Sequence, residues 1–236
     1  MKKLFLTLIA GLLILSSCSK KEQFRVILNL DNANGQVVYL TKDLGMVEMC
    51  VDSAIFEGNT VVFKADFDDP QTKYIVKYDK NDMCGVFSFF SENRDITITG
   101  DYNDMEHWMA VGTHSLDEFN AYRKMSWPIE DAIMDRVHEM EMVCAEGDTV
   151  RCKELWAQAI AGMEEYQALL IDYVRNHPDD IMAHCLLDES KRDMDIEVLK
   201  DIVAGFTIET VYSNNIKNYI EQYERGEVVP SCIVVE

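Results

Sequence analysis

Positive charge is scarce in this chain. Its 236 residues hold 22 Lys and Arg against 42 Asp and Glu, a formal net charge of −20. A chain so short of cations repels nucleic acid, because nothing neutralises the phosphates. Long apolar runs are missing beyond Leu15, which excludes a multi-span membrane protein. No two cysteines are spaced C-x-x-C, so neither a zinc knuckle nor a thioredoxin-type redox pair is encoded. Seven cysteines in a chain of this length are too few for a disulfide scaffold. There is no internal repeat, no low-complexity stretch and no linker rich in Gly, Pro or Ser. No catalytic motif is found, and no cofactor or metal is expected. What is present is 48% hydrophobic residues, enough for one large core or two small ones.

The only long apolar run lies at the N-terminus. Lys2 and Lys3 precede Leu4–Leu15, a run of 12 residues that is too short to span a bilayer and suits a signal h-region. Leu15-Ser16-Ser17-Cys18 follows and resembles a bacterial lipobox, in which the cysteine is lipidated and the segment before it removed. The alternatives are an ordinary secretory signal cut near Ser17 and a short core helix. The lipobox reading predicts a signal peptide over 1–17, a lipidated tether over 18–23, and a membrane as the first partner.

The remainder divides by periodicity. From Phe24 to about Val111 apolar and polar residues alternate in short runs, as in Phe24–Leu30, Val37–Leu40, Thr60–Phe67 and Asp95–Thr99. Turn signals such as Asn34-Gly35 and Glu57-Gly58-Asn59 separate them. From Ser115 onward the period is helical. Ile129, Ile133, Val137, Met140 and Cys144 form one apolar stripe, and Leu155, Ala159, Met163, Tyr166, Leu170 and Tyr173 form another. Gly147-Asp148-Thr149 between them predicts a tight helical hairpin. Pro128 suits the first turn of the first helix, and His177-Pro178 ends the second. Shorter helices are expected at about 179–190, 195–205 and 208–225.

The expected fold class is α+β. An antiparallel β-sandwich-like domain over 24–112 precedes an all-helical domain over 113–226 that contains a long antiparallel helical hairpin, and a tail follows over 227–236. Antiparallel packing places Cys144 and Cys152 across the mouth of the hairpin, either as a disulfide or as two thiols filling its end.

Several clusters look chemical and are more simply structural. His138, Met140 and Met142 do not share one helix face, and the pattern is not H-E-x-x-H. Asp79-x-Asn81 lacks the glycine and closing glutamate of a calcium loop. His184 and Cys185 sit among Ile181, Met182, Leu186 and Leu187, which suits core packing. Asp188, Glu189, Asp193 and Asp195 suit a solvated loop. Asp52-Ser53-Ala54 and Asp148-Thr149-Val150 resemble the tripeptide O-glycosylated in Bacteroidota envelopes, which makes Ser53 and Thr149 candidate acceptors.

The order of several motifs resembles a family of Bacteroidota envelope lipoproteins with the domain of unknown function 4369. These motifs are the lipobox, Val37-Val38-Tyr39-Leu40, Val51-Asp52-Ser53-Ala54, Asp95-Ile96-Thr97-Ile98-Thr99-Gly100-Asp101, Val111-Gly112, Leu116-Asp117-Glu118-Phe119 and Asn176-His177-Pro178-Asp179. Many relatives continue through a G-x-x-x-P linker into a thioredoxin-like domain. Gly226-Glu227-Val228-Val229-Pro230 is similar to that linker, and the sequence ends at Glu236. The resemblance therefore implies a lipoprotein lacking the redox domain, with no oxidoreductase activity to carry over. The expected role is a non-catalytic binding or assembly module in the cell envelope, anchored in the outer membrane, facing the periplasm and meeting an envelope protein partner. The alternatives are an accessory partner of a periplasmic thiol-disulfide oxidoreductase and a small-ligand binder with a pocket at the sheet–helix junction.

Cys18→Ala is expected to release the protein from the detergent phase of whole-cell extracts. Unchanged membrane retention would overturn the lipobox reading.

Overall fold

A computed structural model describes residues 22–44, 47–78 and 86–228. The leader, Cys18, the Asp79–Asn81 turn, Cys84 and Cys232 lie outside the described residues.

Eight strands come first: β1 (Gln23–Asp31), β2 (Val37–Asp43), β3 (Glu48–Ile55), β4 (Thr60–Asp66), β5 (Lys73–Lys77), β6 (Val86–Phe90), β7 (Ile96–Asp101) and β8 (Asp104–Val111). They form two four-stranded sheets, ordered β4-β1-β7-β8 and β3-β2-β5-β6. The period-2 alternation sends Phe24, Val26, Leu28 and Leu30 of β1 inward, with Phe63 of β4, Ile96 and Ile98 of β7, and Val38 and Leu40 of β2. One pairing departs from the antiparallel expectation. β1 and β7 run parallel, Val26 opposite Ile96 through Asp31 opposite Asp101. The whole second sheet is built between these strands in sequence, which supplies the long connection a parallel pair needs. Asp95 marks where the pairing begins, accepting the Arg25 backbone N–H at 2.7 Å and its guanidinium at 2.6 Å.

Five helices follow: α1 (His114–Glu146), α2 (Thr149–Asn176), α3 (Ile181–Ser190), α4 (Ile196–Ala204) and α5 (Val211–Glu224). A 3-10 turn over Lys191–Asp193 joins α3 towards α4. The fold class is α+β, a sheet domain followed by helices. Gly112 makes the passage from β8 into α1. Its φ is +132°, and a Cβ there would lie 2.1 Å from the Asp95 carbonyl oxygen. Thr113 caps α1, and the Glu92 carboxylate accepts the Ser115 N–H at 3.1 Å.

α1 starts earlier than Pro128 suggests. The proline lies inside the helix on an exposed face beside Lys124 and Met125, where water reaches the carbonyl that it leaves without an N–H partner. α2 also differs in its seam. Met163 is exposed, and Gly162 is buried against α1 instead, with Ile133 filling the space a Cβ would take at 2.7 Å. The seam between the two helices therefore includes Gly162, one residue from the predicted stripe.

Two cores meet at α3. Ile181, Met182 and Cys185 belong to the sandwich core, while Ala183 and Leu187 belong to a helical core with Tyr173, Leu199, Ile202 and Ile216. A helix apolar all round is buried on both sides. Asp180, its N-cap, accepts from Met182 N at 2.8 Å and from the Ser115 hydroxyl at 2.8 Å, which ties α1 to α3.

β8 is the outer strand of its sheet, and α1 runs beside it. The Asn120 side chain donates to the Ala110 carbonyl at 2.6 Å, and Arg123 donates to the carbonyls of Trp108, at 3.2 Å, and Glu106. Three alternate carbonyls of an edge strand thus meet side chains of a helix where another strand's N–H groups would stand. Asn120→Ala is expected to lower unfolding free energy by about 1–3 kcal/mol, since it orphans a buried carbonyl. A urea titration checks this; an unchanged midpoint would contradict it.

Candidate binding cleft

The turns of α1 that follow Arg123 leave the sheet edge and overhang it. Arg123, Trp127, Glu130 and Met134 step along one helix face by 4, 3 and 4 residues, and all four line a cleft. Its volume is 1260 Å³. β6 and the β7–β8 hairpin form one wall, through Phe87, Ser88 and Asn103 to His107. α1, Tyr166 of α2 and Met182, Cys185 and Glu189 of α3 form the other. The lining mixes aromatic rings with carboxylates.

Arg123 sits at the junction of the two walls. Its guanidinium lies 4.8 Å from the ring centre of Trp127, 5.7 Å from Phe119 and 5.8 Å from Phe87. Burial pulls its pKa below the ordinary guanidinium value, opposed by the nearby carboxylates of Glu130 and Glu106. Its N–H groups serve the β8 carbonyls, so it is a scaffold cation that also forms part of the cleft wall.

His107 stands at the rim. Nδ1 lies 2.8 Å from Asp104 Oδ1, Nε2 lies 3.6 Å from Asp131 Oδ2 on α1, and the ring meets Trp127 edge-on at 5.0 Å. The hydrogen bond to Asp104 raises the His107 pKa, aided by the charges of Asp104 and Asp131. At the other side, Glu189 accepts from Lys73 Nζ at 2.7 Å and from Cys185 Sγ at 3.5 Å. Burial pushes the Cys185 thiol up to about 12, so at neutral pH it is a protonated, weakly reactive group.

Sequence patterning singled out other residues, and the structure places them elsewhere. Cys144 and Cys152 are joined as a disulfide at the tip of the α1–α2 hairpin, with Cα atoms 5.5 Å apart. Gly147 there takes the left-handed C-cap conformation, and Asp148 caps α2. Ser53 lies exposed on edge strand β3, and Thr149 lies exposed at the start of α2. His184 and Cys185 diverge. His184 is fully buried in the helical layer, between the Thr210 hydroxyl and the Pro178 carbonyl at 3.0 Å each, and stacks on Phe206. Burial lowers its pKa. Asp188 pairs with Lys191, Asp195 caps α4, and Glu189 reaches across to the sheet. His138 and Met142 are exposed far along the hairpin. No group of three His, Cys, Asp or Glu side chains able to hold a metal occurs among the described residues.

The cleft residues themselves escaped sequence patterning. The i, i+4, i+7, i+11 spacing of Arg123, Trp127, Glu130 and Met134 is visible in the chain, but its mixed polarity hides it beside the apolar stripe that faces α2.

The His107 shift carries a pH dependence with a definite sign. A folded-state pKa above the unfolded value, about 6.5, stabilises the fold fully below that unfolded value. The contribution is lost as pH rises through the folded value. An NMR titration is expected to place the His107 midpoint above that of an unfolded peptide, and Asp104→Asn to move it down. A wild-type midpoint at or below the peptide value would contradict the geometry.

Residues 24–119, from β1 to the opening of α1, match the family model described as Domain of unknown function (DUF4369). No curated protein and no solved structure matches the chain. The strand half of this protein, with the first turns of its long helix, is therefore a domain of unknown function 4369.

Proposed function

We propose that the protein is a lipid-anchored cell-envelope module that binds rather than catalyses, and that its ligand occupies the cleft between β8 and the overhanging part of α1. The observation that carries this reading is the cleft itself. It is large enough for a drug-sized ligand or a short peptide segment, and its walls combine apolar surface with convergent polar groups. Each wall comes from a different layer, and the layers are tied by Asn120, Arg123 and Asp180. A ligand site built on such fixed elements is preorganised. The non-catalytic part rests on two groups: His107 has both ring nitrogens turned to carboxylates, and the Cys185 thiol is held protonated. The anchor part rests on Lys2–Cys18.

A photo-reactive residue at Met134, on the cleft rim, is compared in cells with one at Val150, equally exposed at the hairpin tip. Adducts from position 134 and none from 150 are expected by mass spectrometry. Equal labelling at both positions, or none at 134, would count against the cleft.

A further inference from the structure

The cleft lining holds more carboxylates than cations, and Arg123, whose charge Glu130 and Glu106 feel, offsets them only in part. Glu106, Glu130 and Asp135 line the cleft, and no ion pair joins any of them to a cation among the described residues. Asp104 and Asp131 share a single imidazole, His107. Among the described residues the guanidinium in the lining is Arg123. Its donors lie on strand carbonyls and its ring neighbours are Phe87, Phe119 and Trp127. An anion entering the cleft would pass these carboxylates to reach a cation already engaged. A cation entering it meets carboxylates in a partly dry space, where Coulomb attraction exceeds that in bulk water. An apolar body carried by that cation meets aromatic rings of the lining, Trp127 among them.

We infer that the cleft takes an organic cation, an ammonium or guanidinium carried on an apolar body, with Glu130 receiving the charge and Trp127 lying along the apolar part. This rests on the reading of the cleft as the binding site and adds the chemistry of its ligand. Glu130 is half-buried and lies one helical turn from Trp127 on the same face of α1, so one ligand spans both. The charge has two sources of the same chemistry, a free amine and a Lys or Arg side chain within a peptide.

The test uses the full chain in detergent and four probes: phenethylammonium, its neutral counterpart 2-phenylethanol, the anion 3-phenylpropionate, and a capped pentapeptide with arginine between phenylalanine and alanine residues. Calorimetry gives affinity, and the Trp127 indole N–H resonance reports the place. Expected are binding of at least one cationic probe with a shift of Trp127, and affinity that falls as salt rises from about 0.05 to about 0.5 M. The neutral and anionic probes should bind at least about tenfold more weakly, and Glu130→Gln should weaken the cation about tenfold, the effect of one charged contact. Asp135→Asn, on the exposed rim, should weaken it in the same direction and serves should Glu130→Gln fail to fold. A tighter peptide than amine assigns the source as a protein segment, and the reverse assigns a free amine. Neutral or anionic probes that shift Trp127 as strongly as the cations would overturn the inference and leave the cleft standing as a site. Silence from all four at Trp127 would overturn it too, and the Met134 crosslink then judges the cleft by itself.

Discussion

An outer strand of a sheet has a row of carbonyls that must find donors, and β8 finds them in a helix. Asn120 and Arg123 lie three residues apart on α1, which puts them on one face, and the long Arg123 side chain reaches the two carbonyls further along the strand. Together they cover Ala110, Trp108 and Glu106. This arrangement closes the β8 edge against further pairing. It also fixes where α1 lies and therefore which of its later residues overhang the sheet. The cleft lies between the part of this helix beyond Arg123 and the wall made by β6 and the β7–β8 hairpin. Arg123 belongs to both functions, holding the edge and forming the cleft wall.

The second tie is α3. Its ten residues divide between two cores, so neither layer can move without exposing apolar surface on one side or the other. Trp108 shows how the same packing reaches the site. It is fully buried in the sandwich, its indole N–H donates to the Asp101 carbonyl at 2.7 Å, and Tyr78 and Phe87 of the cleft wall pack against its ring. The wall is thus an extension of the sandwich core, and rigidity in one is rigidity in the other.

The outer part of the α1–α2 hairpin is built differently. Beyond Ser126, α1 has no fully buried residue, and Ile129, Ile133, Val137 and Met140 are only half-covered by α2. Local interactions hold this part together: Gly162 against Ile133, Arg151 on Glu139 at 2.8 Å, and the Cys144–Cys152 disulfide at the tip. Burial here is one-sided: Leu155, Ala159 and Gly162 of α2 are buried, but the facing residues of α1 are not. The disulfide limits how far the two ends of this segment can part. The cleft lies at the boundary between this segment and the doubly tied base.

The chain itself dictated the two halves, the strand alternation, the hairpin turn at Gly147-Asp148 and the nearness of Cys144 to Cys152, while the bond between them was left open. These depend on neighbours within a few residues, and period, caps and turn chemistry act over that range. Its errors have the same origin. Pro128 resembles a helix start locally, but Thr113, Gly112 and Glu92 begin the helix earlier, and an exposed face tolerates the proline. Met163 fits the stripe locally, but Gly162 allows the closer approach and takes its place. Only the tertiary structure decided that β1 lies parallel to β7, that His184 and Cys185 serve different cores, and that Arg123, Trp127, Glu130 and His107 come together. Each of those facts joins residues distant in sequence, or depends on which layer a helix face meets. Such meetings are set by the packing of whole sheets and helices, to which a local pattern of residue types carries no address.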